Sequence, residues 1–274
     1  MMGEEAPGDL AGRVALVTGG ARNIGLAIAM ELGRKGASVA LVDICRDLKT
    51  IPYKLSTPRD IANAVDELST MGARAIGVRC DIRRENEVRN AVNQVVEAFG
   101  TVDILVNNAG VVSLYPAVDL SEEAWDEVVD VCLKGTYFCC KHVLPFMIRK
   151  HYGKIVNIAS VAGRRGLGLS SHYCAAKHGV VGLTKALAME MADHNINVNA
   201  LCPGTVESKS LEGLAVQADV QGDLYEHFSQ GHLFKDRRIS KEDIASAVGW
   251  LISEQSRCIT GTVVTVDSGW SAGG

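Results

Sequence analysis

Residues 13–25 read RVALVTGGARNIG, and the architecture follows from them. RVALVT (13–18) is a continuous apolar run, too short for a helix and rich in Val, as a strand buried on both faces should be. It runs into Gly19, Gly20 and Gly25, and then into small apolar residues at helical spacing. Strand, glycine turn and helix in that order present free backbone N–H groups and a positive dipole end, where a pyrophosphate can approach closely. An ordinary strand-to-helix turn also uses glycine, so the motif needs support from the rest of the chain. Asn23 stands where a further glycine is expected; Asn tolerates positive φ better than most residues, so the loop keeps its shape.

Working outward, similar runs recur as SVALVD (38–43), RAIGVRC (74–80), VDILVN (102–107), KIVNIAS (154–160), INVNALC (196–202) and TVVTVD (262–267). Helical patterns lie between them, near 23–35, 58–71, 85–99, 121–150, 171–192 and 241–252. Strands alternating with helices predict an α/β fold: one Rossmann-type, doubly wound domain with a seven-stranded parallel sheet, helices on both faces and right-handed crossovers. Residues 1–10 read as a flexible tail and 11–274 as the single domain. Such sheets bind ligands outside the carboxyl ends of their strands.

Composition removes other classes. The net charge is -4 with both signs interspersed, which argues against a nucleic-acid or anionic-membrane partner. No apolar run approaches the ~18 residues of a membrane span. MMGEEAPGDL is acidic and lacks the apolar stretch of a signal peptide. The 8 cysteines (45, 80, 132, 139, 140, 174, 202 and 258) form no CxxC pair. They read as reduced, mostly buried thiols of a cytoplasmic protein, with no metal site.

The second strand ends at Asp43. A carboxylate there can accept both hydroxyls of an adenosine ribose and repels a 2′-phosphate, which favours NAD over NADP. Arg22, in the glycine loop, points the other way because it could reach a 2′-phosphate.

From residue 12 to 270 the chain resembles the short-chain dehydrogenase/reductases. Thr18–Gly25 is similar to the family's TGxxxGxG loop, Asn107-Asn108-Ala109-Gly110 matches its NNAG motif, and Pro203-Gly204 matches its PG motif. The resemblance implies that Gly19, Arg22, Asn23, Ile24, Gly25, Asp43, Ile44, Asp81, Ile82, Asn107, Ala109, Gly110, Pro203, Gly204 and Val206 bind the cofactor, Asp81 at the adenine and Val206 at the nicotinamide amide. It also implies that Ser160, Tyr173 and Lys177 are catalytic, Tyr173 and Lys177 touching the cofactor as well. Two Tyr-x-x-x-Lys pairs occur, Tyr137/Lys141 and Tyr173/Lys177, but only the second follows a strand ending in Ser. Tyr137 reads as a helix-packing or interface residue; His172 is placed to line a substrate pocket, but reads rather as a packed or solvated His at a helix start.

The chemistry suits those residue types. A free tyrosine, with a pKa near 10, is a poor base at pH 7, and a positive charge nearby favours its phenolate. Tyr173 and Lys177 lie one helical turn apart on one face. Ser160 would hold the substrate oxygen against Tyr173, which acts as base in oxidation and acid in reduction.

Two departures stand out. The family's helix carries an Asn within V-N-L-x-G; here the run is Val131-Cys132-Leu133-Lys134-Gly135, and Cys132 is a poor hydrogen-bonding substitute. It leaves open either a tolerated substitution, a slow enzyme, or a protein that only binds nucleotide. Residues 44–60 form an insertion that starts where adenosine should lie. It is similar to a segment of the actinobacterial carveol-dehydrogenase-like subgroup linked to mycofactocin, in which NAD stays bound, and it would cover the cofactor. Residues 205–235 occupy the place of the family's substrate lid, with apolar residues in two short helices. The expected substrate is a bulky, mostly apolar secondary alcohol or ketone, of terpenoid, steroid or polyketide type. The alternatives are an NADPH ketoreductase of secondary metabolism and a non-catalytic nucleotide-binding regulator. The resemblance further implies a homodimer or homotetramer.

Overall fold

A computed structural model describes residues 9–208 and 210–273. Seven strands form one sheet in the order β3-β2-β1-β4-β5-β6-β7, with every neighbouring pair parallel. They are β1 (Val14–Thr18), β2 (Ser38–Asp43), β3 (Ala75–Arg79), β4 (Ile104–Asn107), β5 (Gly153–Ile158), β6 (Ile196–Pro203) and β7 (Val263–Val266). The helices are α1 (Asn23–Arg34), α2 (Pro58–Thr70), α3 (Glu85–Phe99), α4 (Glu122–Val129), α5 (Gly135–Lys150), α6 (Ser171–Met191), α7 (Ser210–Gln217), α8 (Leu224–Phe228) and α9 (Lys241–Leu251). The predicted α/β, doubly wound, seven-stranded architecture is the one observed.

Strand alternation builds two cores. Ala15 and Val17 of β1 face one side, with Ile28 and Leu32 of α1 and Ile244 and Val248 of α9. Leu16 faces the other, with Val92 and Val95 of α3, Val143 and Met147 of α5 and Leu187 of α6. The chain leaves β1 outward to β3, then crosses back to β4. The carboxyl ends of β1 and β4 therefore form the switch point, where a crevice opens.

The helix predicted over 121–150 is interrupted by a π turn at Asp130–Lys134. The wider turn seats Gly135 against Ile82, where a Cβ would lie 2.6 Å from Ile82 Cδ1. Of the predicted tail, residues 1–8 lie outside the described residues. Leu10 departs from that expectation: it is buried, and its N–H donates to Lys35 O at 2.8 Å.

The insertion is pinned down by long-range contacts. Leu48 and Ile51 join the core. Glu127 of α4 accepts the N–H and hydroxyl of Thr50 at 2.9 and 2.7 Å, and Lys49 pairs with Glu123 at 2.8 Å. It ends in a capping box, Thr57 with Asp60, with Pro58 opening α2.

Candidate active site

Two adjoining cavities occupy the crevice, of about 230 and 520 Å³. The first is lined by Gly19, Arg22, Asn23, Ile24, Gly25, Asp43, Ile44, Asp81, Ile82, Ala109 and Gly110, all singled out from the sequence. The second gathers Ser160, Tyr173, Lys177, Pro203, Gly204 and Val206. Asn107 and Cys132 line neither.

The glycine loop is a cradle shaped for close backbone approach. A Cβ on Gly25 would lie 2.0 Å from Gly19 O, and one on Gly19, whose φ is +62°, 2.9 Å from Ala109 Cα. Asn23 does adopt positive φ, +49°. The Arg22 side chain makes no cap at the start of α1, so the helix presents open N–H groups to the first cavity. These features fit a pyrophosphate, and with Asp43 they fit a dinucleotide such as NAD(P).

Asp43 is 7% exposed and fully engaged. One carboxylate oxygen accepts Ala21 N–H at 3.2 Å; the other accepts Cys45 N–H at 3.3 Å and the hydroxyl of Ser56, from the insertion. The Arg22 guanidinium donates to Lys54 O at 2.8 Å. Asp81 is held by Arg83, through Nε at 2.9 Å and a terminal nitrogen at 2.7 Å, and by Arg46 at 2.7 Å. Burial alone would raise its pKa, but the bonds and charge of Arg83, aided by Arg46, hold it down at about 2.

Two neighbouring asparagines separate where β4 ends, Asn107 closing the strand and Asn108 opening the turn after it. Asn107 turns into the core and donates to Asn157 at 2.8 Å, so its side chain is not in the crevice. Asn108, not singled out as a site residue, donates to Thr18 O at 2.9 Å and Gly19 O at 3.2 Å and lines both cavities. Tyr53, also unanticipated there, stands between the cavities and accepts Val112 N–H at 3.0 Å. Its signal was its place in an insertion beside the cofactor loop.

In the second cavity, Lys177 Nζ donates to Ile158 O at 2.8 Å and lies 5.5 Å from the Tyr173 ring centroid. Burial, with Cys132 nearby, pushes the Tyr173 phenol well above its usual range, and the Ser160 hydroxyl pulls the other way. Cys132 is fully buried and donates to Val111 O at 3.3 Å. His172 is packed: 0% exposed, its Nε2 is 3.0 Å from Ser113 Oγ. Tyr137 is 43% exposed on α5, while Lys141 pairs with Glu85. All eight cysteines are free thiols, and only Cys174 and Cys258 are not buried. Among the described residues no cluster could hold a metal ion, and no helix is long and apolar enough to cross a membrane.

Residues 13–218 match the short chain dehydrogenase family. The 3-oxoacyl-(acyl-carrier-protein) reductase of Staphylococcus epidermidis is 34% identical, over 93% of this chain and 97% of the relative. The (-)-trans-carveol dehydrogenase of Rhodococcus erythropolis is 32% identical, over 94% of this chain and 97% of the relative. The crystal structure of carveol dehydrogenase from Mycobacterium avium in complex with NAD superposes with a TM-score of 0.90 at 32% identity, covering 95% of this chain and 98% of that one. The chain therefore belongs to the short-chain dehydrogenase/reductase family. It is an oxidoreductase acting on CH–OH groups, of a family that uses NAD(P).

Proposed function

We propose that the protein interconverts a bulky, mostly apolar secondary alcohol and its ketone, using NAD in preference to NADP. One observation carries this reading: Ser160, Tyr173 and Lys177 share a 520 Å³ cavity whose walls include Val111, Leu114, Leu167, Leu211, Leu214 and Phe228. Among the described residues its lining holds one lysine, Lys177, no arginine and one histidine, His227, so little fixed positive charge faces the substrate space. A ring-sized apolar substrate suits such walls.

The dinucleotide would lie along Gly19–Gly25, Asp43 and Gly110, and supplies the hydride chemistry when bound. Ser160 accepts or donates a hydrogen bond at the substrate oxygen and holds it against the Tyr173 hydroxyl. Tyr173 takes the alcohol proton in oxidation and returns one in reduction. Lys177, one turn on, supplies positive charge that offsets the burial of the phenolate. The NAD preference is supported by Asp43, a buried carboxylate where a 2′-phosphate would come, and by Arg22 being bound to the insertion. The insertion, tied to α4 and to Asp43, serves as a cover for the cofactor; residues 205–235 serve as the substrate lid. Trp125 and Tyr137, exposed on α4 and α5, suit a homo-oligomeric interface. A cytoplasmic location goes with this function and is supported by the eight unpaired thiols.

The test is a panel of cyclic and acyclic alcohols, ketones and acyl thioesters with both cofactors. Turnover of cyclic apolar members with NAD, lost at least about 1,000-fold in Tyr173→Phe with NADH binding kept, is the expected result. Turnover confined to acyl thioesters with NADPH would overturn it.

A further inference from the structure

Behind the Pro203-Gly204 turn lies a histidine that no motif predicts. His232 follows α8 and is 2% exposed. Its Nε2 accepts the backbone N–H of Thr205 at 3.1 Å, across 27 residues of chain. A nitrogen that accepts carries no proton, so the ring is neutral with its proton on Nδ1. Nδ1 is buried without a hydrogen-bond partner among the described residues. The ring therefore spends its polar capacity on one contact, the Thr205 amide.

The surroundings hold the ring in that orientation. It meets Tyr225 edge-on at 5.9 Å between centroids and Trp270 at 5.5 Å. Two glycines make the space. A Cβ on Gly204 would lie 2.6 Å from His232 Nε2, and one on Gly231 would lie 1.7 Å from Trp270 Nε1. The glycine of the PG motif thus has a local physical reason here: it lets the imidazole reach the next residue's amide. Thr205 is tied a second time, its hydroxyl donating to Phe228 O at 2.5 Å, and Gly204 N–H donates to Val266 O at 2.9 Å. The 204–206 backbone, one wall of the second cavity, is fixed from behind by these bonds.

We propose that His232 is a positioning residue that holds the Gly204–Val206 backbone in the shape needed by the nicotinamide end of the cofactor. This rests on the dinucleotide reading above. Burial keeps the ring neutral, although the Asp267 carboxylate favours its charged form. A protonated Nε2 would set a donor against a donor.

The test compares NADH with ADP-ribose, which shares the nucleotide end and lacks the nicotinamide, by calorimetric titration of the full chain first stripped of any bound nucleotide. His232→Leu fills the space without an acceptor. It is expected to weaken NADH about tenfold or more and to leave ADP-ribose within about twofold. His232→Gln carries an oxygen at the reach of Nε2 and is expected to restore NADH to within about threefold. If the leucine variant does not fold, His232→Asn, whose amide is too short to reach, takes its place with the same expectation. Unchanged NADH affinity in the leucine variant would overturn the proposal. So would equal loss of both ligands, which marks a general structural role, or a glutamine variant as weak as the leucine one. Wild-type protein that binds neither ligand would overturn the dinucleotide reading itself.

Discussion

Asp43→Asn is the sharpest test of cofactor choice. In the structure the two carboxylate oxygens accept from Ala21, Cys45 and Ser56. An amide offers one oxygen and one NH2. With its oxygen toward Cys45 and Ser56, the NH2 confronts the Ala21 N–H 3.2 Å away from the present acceptor. Flipping it confronts the Cys45 N–H instead. Either way one buried donor loses its partner, at a cost of about 1–3 kcal/mol. A lower urea midpoint is therefore expected. The charge effect is separable from this. A unit charge facing a phosphate oxygen at about 4 Å, with an effective dielectric constant near 20, is worth about 4 kcal/mol. Solvent reaching the crevice reduces this, so about 2.7 kcal/mol, or 100-fold, is the expected fall in the NADH-over-NADPH affinity ratio. Fluorescence titration of both cofactors reads the ratio, and the folding defect cancels from it. A ratio within about threefold of wild type would refute the reasoning. It would assign the exclusion of a 2′-phosphate to the space filled by Ser56, not to charge.

Deleting residues 46–56 is expected to speed NAD release about tenfold or more in stopped flow; because Leu48 and Ile51 sit in the core, Tyr53→Ala is the milder companion, with the same direction. An unchanged release rate in both would remove the covering role. Asp81 links stability to acid: its folded pKa of about 2 lies below an unfolded value near 3.9, so its contribution is complete above about pH 4 and is lost as pH falls through 2. Denaturant titrations should show the wild type losing about 2 kcal/mol more than Asp81→Asn over that window. Cys132→Asn is expected to leave turnover similar or raise it; a collapse would mean that the thiol is required where it bonds Val111 O.

The strands, their parallel pairing and the glycine loop of the first cavity were legible in short patterns, and the family resemblance added the residues of the second. Val-rich runs with helices between them leave few ways to bury both faces of a sheet, and every glycine-loop residue predicted to bind cofactor lines the first cavity. Even Asn23 could be read, because the positive φ it adopts is a local preference of its side chain. Side-chain direction was harder. Asn107 and Asn108 are adjacent in one motif, yet one is in the core and the other in the crevice, since β4 ends at Asn107 and the chain turns at Asn108.

What stayed hidden depends on groups far apart in the chain. The insertion could be seen as extra length near the cofactor, but not that Ser56 reaches Asp43, that Tyr53 stands between two cavities, or that Arg46 and Arg83 occupy Asp81. Nothing in the spacing of His232 and Thr205 announces their bond. Periodicity and turn chemistry act over a few residues, so one chain records them in its own order. Contacts across 13, 35 or 59 residues exist only once packing has brought the elements together.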